Sequence, residues 1–178
     1  MKLNLGCGDK YRDGYINLDN NGNLDRIDVK HDLNRFPYPF NDSTSEEIIM
    51  DHVLEHLDDT ISVISELYRI SKNGAIINIK SPHFSCNWTH PGHKRAIGLG
   101  LFDHFSKDSS ERYGKCDFRV EYSKLYWIRP CYVDSLPKRV ASSVINFFAN
   151  LNKKFCERFW CYWVGGFEEI EFKVRVGK

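Results

Sequence analysis

The sequence predicts an α/β fold: a mostly parallel sheet flanked by helices and closed by an antiparallel C-terminal strand. Three features of the pattern point there. The apolar run Leu3-Asn4-Leu5 breaks directly into Gly6-Cys7-Gly8-Asp9, as a strand does when it feeds a tight turn. Short β-rich runs then alternate with turn signals and one helical period as far as Ser81-Pro82-His83, the order expected of a parallel sheet. Near the other end Phe167, Ile170, Phe172, Val174 and Val176 nearly alternate with other residues, which marks a half-buried strand.

Taken in order, residues 2–5 form a first strand and 15–18 a second that ends beside Asp19. Only nine residues, 6–14, separate them. A helical crossover usually needs a dozen or more, so the connecting helix is expected to be a stub. Residues 26–33 read as a third strand delivering Asp32, followed by the proline-rich loop 36–40. A short apolar strand at 46–50 runs straight into Asp51-His52-Val53-Leu54-Glu55-His56-Leu57. Asp58 can cap a helix whose Ile61, Ile64, Leu67, Tyr68 and Ile70 fall mostly at helical spacing. Lys72-Asn73-Gly74 offers a left-handed stop for that helix, and 75–80 is another β-rich run. Residues 84–115 lack a sustained period and read as a long loop with one short helix around 96–105, the kind of loop that carries function. A strand at 118–128, an amphipathic helix over 136–155 and the strand at 167–176 complete the chain.

At 178 residues the chain is most simply one domain: a cofactor-binding core over 1–83, an acceptor-site insertion over 84–135, and a closing helix and strand over 136–178. Lys and Arg total 25 against 24 Asp and Glu, so no global field favours nucleic acid or an anionic membrane. The N-terminus reaches a glycine turn too soon to hold a signal-peptide apolar region, and the expected compartment is the cytoplasm. Cys7, Cys86, Cys116, Cys131, Cys156 and Cys161 are scattered without a Cys-x-x-Cys pair and read as reduced thiols.

A dinucleotide site would want a third glycine at position 11 and an acid about 20 residues on; the chain has Tyr11, and Asp19 arrives early. A phosphate-cradling P-loop would need Gly-Lys-Ser/Thr, which is absent. A helix stub is also a poor seat for a pyrophosphate. Two readings remain: a nucleoside ligand without phosphates, or a glycine turn that merely joins two strands.

Six stretches in order carry a resemblance: Leu3-Asn4-Leu5-Gly6-Cys7-Gly8, Gly14-Tyr15-Ile16-Asn17-Leu18-Asp19, Asp32-Leu33, Asp51-His52-Val53-Leu54-Glu55-His56-Leu57, Lys72-Asn73-Gly74 and Ser81-Pro82-His83. Over residues 1–105 the chain resembles class I S-adenosylmethionine-dependent methyltransferases, in particular a compact bacterial branch with a shortened first helix and predicted glycan substrates. The resemblance implies a Rossmann-like sheet, S-adenosyl-L-methionine as cofactor, and methyl transfer to an oxygen or nitrogen of a small polar acceptor such as a sugar or glycan precursor. It also implies roles. Leu5, Gly6, Cys7 and Gly8 would line the methionine half of the cofactor, Asp19 would hold the ribose, Asp32 and Leu33 would meet the adenine, and Asp51 and His52 would close the pocket near the sulfonium. Many relatives carry an acid just before the strand-end glycines; Asn4 stands there instead.

Displacement at a sulfonium-activated carbon needs alignment and, for an oxygen nucleophile, a base, without a metal. His83, just past a strand end, is the first candidate base and His56 the second, with His90, His93 and His104 behind them. Two metal readings compete. His52-Val53-Leu54-Glu55-His56 matches the His-x-x-Glu-His pattern of zinc metallohydrolases, and His83, His90 and His93 are a possible loop zinc site. A protein that binds the cofactor without transferring its methyl group is a further alternative. Trp88, Trp127, Trp160 and Trp163 with Phe155, Phe159, Tyr162 and Phe167 are expected chiefly to pack the closing elements, with sugar stacking as a second reading. Residues 140–151 followed by Lys153, Lys154 and Arg158 also allow weak peripheral membrane contact.

Overall fold

The structure is a computed structural model and describes residues 1–24, 26–86 and 90–178. Its strands are β1 (Lys2–Leu5), β2 (Ile16–Asp19), β3 (Val29–Lys30), β4 (Ser45–Asp51), β5 (Ser71–Pro82), β6 (Phe118–Tyr126) and β7 (Glu169–Val176). They form one sheet in the order β3-β2-β1-β4-β5-β7-β6. The first five run parallel to one another, and β7 runs antiparallel to both β5 and β6. The Rossmann-like, mostly parallel architecture with an antiparallel C-terminal strand is therefore present.

Leu3, Leu5, Leu18, Ile48, Met50, Ile77 and Ile79 are buried in the centre of this sheet. Helix α1 (Thr60–Ile70) adds Val63, Ile64, Leu67 and Ile70 to the core, while Ile61 is exposed. The cap differs from the expected one. Asp59 has extended backbone and accepts from the Ile61 and Ser62 amides, whereas Asp58 is paired with Lys94 Nζ at 2.5 Å. The helix also ends four residues earlier than Gly74. Ser71 is its C-cap and already the first residue of β5. The register steps from Ser45↔Ser71 to Glu47↔Ile76, so Lys72-Asn73-Gly74-Ala75 loops out inside the strand, and Gly74 supplies its positive φ of 77° there.

No helix at all joins β1 to β2; residues 6–14 are turns. A buried amide network takes the helix's place. Asn4 Nδ2 donates to Lys10 O at 2.9 Å and to Asn17 Oδ1 at 2.8 Å. Asn17 Oδ1 also accepts from Arg12 N, and Asn17 Nδ2 donates to Arg12 O, Tyr15 O and Asp28 Oδ2. The expected third strand shrinks to two residues, which leaves Asp32 in the loop beyond it.

The segment after β5 contains a 3₁₀ helix, Leu99–Phe105, that buries Phe102 and Phe105. Helix α2 (Leu136–Leu151) stops at Asn152, whose side chain caps a following turn; the helical segment then continues in short pieces to Trp163. α2 docks on the edge strand β6 through amides: Asn150 Oδ1 accepts from Leu125 N and its Nδ2 donates to Leu125 O, both at 2.9 Å. Only Ser142 and Ala149 of α2 are buried. Contrary to the packing expected of the tail aromatics, Phe155, Phe159, Tyr162 and Trp163 are exposed and Trp127 and Trp160 half-buried, with Phe167 alone in the core. Trp88 lies outside the described residues. All six cysteines are free. Among the described residues no helix is long and apolar enough to cross a membrane.

Candidate active site

Three parallel strands, β2, β1 and β4, end together around one cleft. The β1–β2 register pairs Leu5 with Leu18, which sets Gly6 beside Asp19. Gly6 has φ +67°, and a Cβ there would lie 2.6 Å from Val53 Cγ2. Glycine is therefore required twice over, by conformation and by space. The Gly6 and Cys7 amides both donate to Leu18 O, and the Gly8 amide donates to Asp19 Oδ2 at 2.8 Å. The loop is thereby held over the end of β2. Sheet order reverses at β1, with β2 and β3 on one side and β4 onward on the other. Ligands of open α/β sheets bind at such a switch point, beyond the carboxyl ends of the strands.

The cleft there has a volume of 290 Å³ and is lined by Gly6, Asp19, Asn20, His31, Asp32, Leu33, Asn34, His52, Val53, His56 and Leu57. Six of the expected residues thus meet in one place: Gly6, Asp19, Asp32, Leu33, His52 and His56. The other four expected cofactor residues do not line it: Leu5 and Cys7 are buried, and Gly8 and Asp51 lie outside its lining. Asp19 Oδ1 accepts from the Asn21 amide and Asp32 Oδ1 from the Asn34 amide, which fixes both carboxylates at the cleft. Asn20, His31 and Asn34 were not anticipated; they are loop residues with no periodic signal.

Asp51 is engaged by the protein. Its Oδ1 lies 2.7 Å from His52 Nδ1 and 3.1 Å from Lys10 Nζ, and the His52 hydrogen bond together with Lys10 holds its carboxyl well below the ordinary range against the cost of burial. His52 adopts φ +60°. Its Nε2 is buried and faces Glu169 Oε2 at 3.4 Å without hydrogen-bond geometry. Burial pushes the Glu169 carboxyl up, opposed by His52 and Lys80. Glu169, hidden in the alternation of the closing strand, is a residue that sequence reasoning missed.

The candidate bases separate. His83, the first choice, has no exposed surface; its Nδ1 is 2.6 Å from Ser85 Oγ and its Nε2 3.2 Å from Glu157 Oε1. It braces the loop after β5 and has no wall in the cleft. Glu157 also accepts from the Leu99 amide, and these bonds hold its carboxyl below the ordinary value despite burial. His104 is half-buried, with its Nδ1 3.3 Å from Glu111 O, and does not line the cleft. His56 does reach the cleft. Its Nδ1 donates to Gly92 O at 2.9 Å, because a carbonyl can only accept, and the neutral ring then carries its lone pair on Nε2.

Neither metal reading of the sequence assembles as expected. The turn Leu54–His56 is a 3₁₀ helix directly after the strand, without the continuous helical face that a His-x-x-Glu-His site uses, and His83 is enclosed elsewhere. Glu55, His56 and His93 do converge, with one ligand atom from each lying within 4.8 Å of the others.

No protein-family model and no curated protein matches the chain. Solved structures do. A SAM-dependent methyltransferase from Archaeoglobus fulgidus superposes with a TM-score of 0.56 at 17% identity, covering 98% of this chain and 85% of the other. A putative sarcosine dimethylglycine methyltransferase from Galdieria sulphuraria gives 0.59 at 16% identity, over 98% and 77%. The [4+2]-cyclase SpnF gives 0.59 at 15% identity, over 99% and 74%. Strand order, switch-point cleft and these superpositions agree that the chain has the class I S-adenosylmethionine-dependent methyltransferase fold.

Proposed function

We propose that the protein is a methyltransferase that uses S-adenosyl-L-methionine and acts on an oxygen or nitrogen of a small polar acceptor, a sugar or glycan precursor being the preferred class. The observation that carries this reading is the convergence of Gly6, Asp19, Asp32, Leu33 and His52 on one cleft at the switch point. Their chemistry suits the cofactor. Asp19 and Asp32 each retain acceptor capacity after their amide contacts, one for ribose hydroxyls and one for the adenine amino group, and buried Leu33 offers an apolar wall. His52, held by Asp51, bounds the methionine end. Asn4 is committed to the loop network, so no acid from β1 contributes.

When bound, the cofactor supplies a methyl group on a positively charged sulfur. The chain's own part is alignment: Gly6 and Gly8 shape the loop that admits the ligand, and the two carboxylates orient it. His56 Nε2, in the lining of the same cleft, is the imidazole nitrogen available to an acceptor. The loop 84–115 and the tail would shape the acceptor side. SpnF shows that the same fold carries other chemistry, and binding without transfer is the alternative.

Calorimetric titration of the metal-stripped protein with S-adenosylhomocysteine tests the reading. Micromolar binding is expected, weakened at least tenfold, about 1.4 kcal/mol, in Asp19→Asn. Absence of binding in the parent would refute the cofactor assignment, and equal affinity in the variant would remove Asp19 from it.

A membrane-surface contact is proposed for α2. Leu136, Val140, Val144, Phe147 and Leu151 form an exposed apolar stripe on this helix, with Lys138, Arg139, Lys154 and Arg158 nearby. Such a face suits an anionic lipid surface.

A further inference from the structure

The two metal readings of the sequence each held part of a cluster that only the tertiary fold completes. We infer that Glu55, His56 and His93 bind a zinc-class divalent cation at the rim of the cleft. The donor set is two imidazoles and a carboxylate, which selects borderline first-row ions such as Zn²⁺ or Co²⁺ over the oxygen-seeking Ca²⁺ and Mg²⁺. The ligand atoms lie within 4.8 Å of one another, and His56 Nε2 is 4.0 Å from Glu55 Oε1. An ion about 2.0–2.2 Å from each ligand needs them roughly 3.4 Å apart, so modest side-chain movement closes the site.

Glu55 supplies an independent reason. It is 1% exposed, Ser81 Oγ donates to its Oε2 at 2.9 Å, and its Oε1 is buried with no hydrogen-bond partner. A buried carboxylate oxygen without a donor is costly unless a cation meets it. His56 is oriented as a ligand should be, with Nδ1–H on the Gly92 carbonyl and Nε2 turned toward the cluster. His93 is delivered by a pinned loop: the Lys94 amide donates to Glu55 O at 2.7 Å, and Lys94 Nζ pairs with Asp58. The His90 ring stacks on His93 with centroids 4.4 Å apart.

Three protein ligands leave a fourth position open for water or an oxygen ligand. The ion takes the His56 lone pair that a base would use, so acceptor activation passes from the imidazole to the ion's open position. That consequence rests on the methyl-transfer reading; the metal site does not.

The test uses the full chain after chelator treatment. Titration with zinc chloride should give one ion per chain with a dissociation constant at or below micromolar, and Co²⁺ should produce the visible absorption of a four-coordinate site. His93→Ala, on a surface loop, should weaken zinc binding at least a hundredfold while leaving the urea midpoint of the ion-free protein unchanged. Glu55→Gln, which preserves the shape facing Ser81, should weaken zinc binding by as much, and His104→Ala should bind as the parent does. No ion bound by the parent, or parental affinity in His93→Ala, overturns the site. S-adenosylhomocysteine titrated into the same stripped protein reads the cleft separately: a parent that binds the nucleoside but takes up no zinc overturns only the metal site, and one that takes up zinc but does not bind the nucleoside overturns only the cofactor reading.

Discussion

Gly6 shows how much one missing methyl group decides. Its positive φ alone would cost an alanine about 1–2 kcal/mol, and the approach to Val53 adds an overpacking cost of roughly 1–3 kcal/mol. Gly6→Ala is expected to lower unfolding stability by about 2–5 kcal/mol. Adding Val53→Ala should recover only the steric part, measured by urea denaturation; a double variant as stable as Val53→Ala alone would remove the conformational argument. Glu169 makes the opposite kind of prediction. Burial raises its carboxyl above the ordinary 4.5, so in the interval between that value and the raised one the folded chain keeps a proton that the unfolded chain has released. Stability therefore falls as pH rises through that interval and is unaffected by this group below 4.5. Glu169→Gln cannot ionise and should be the more stable protein at pH values above that interval, with the difference vanishing below 4.5. An unchanged or lower midpoint above that interval would mean that His52 fully compensates the charge.

Among the elements, the β1–β2 connection is where local sequence said least. The count of nine intervening residues indicated that no full helix fits, yet Asn4 and Asn17 gave no sign that they bind each other across the strands. Two asparagines 13 apart carry no periodicity. The end of α1 misled for a related reason. Lys72-Asn73-Gly74 has the composition of a helix stop, and the register of β4 against β5 used it as a loop-out inside a strand instead. α2 is the clearest reversal: a helical apolar period was legible, but the face it marks points outward and the buried positions are Ser142 and Ala149. Periodicity reports that a stripe exists and not which partner covers it. If that partner is a lipid surface, the protein should sediment with phosphatidylserine-rich vesicles and Phe147→Asp with Phe148→Asp should release it. Parent protein left wholly in the supernatant would refute the membrane contact.

For the molecule as a whole, the site is a property of sheet order. The sequence by itself determined the α/β class, the glycine-bearing end of β1, the carboxylates at Asp19 and Asp32, and the apolar core of the parallel strands. Each of these is encoded within a few neighbouring residues, through turn chemistry or through a period of two or 3.6. It also held His56 and Glu55 in a recognisable run. Only the tertiary structure decided that His83 is sealed against Ser85 and Glu157, that Glu169 on the last strand reaches His52 near the fourth, and that His93 comes to Glu55 and His56 across the loop after β5. Apart from His83 with Ser85, those pairings join residues 37 to 117 positions apart, between His56 and His93 and between His52 and Glu169. The order of strands and the path of loops place them, and no local propensity encodes such a distance.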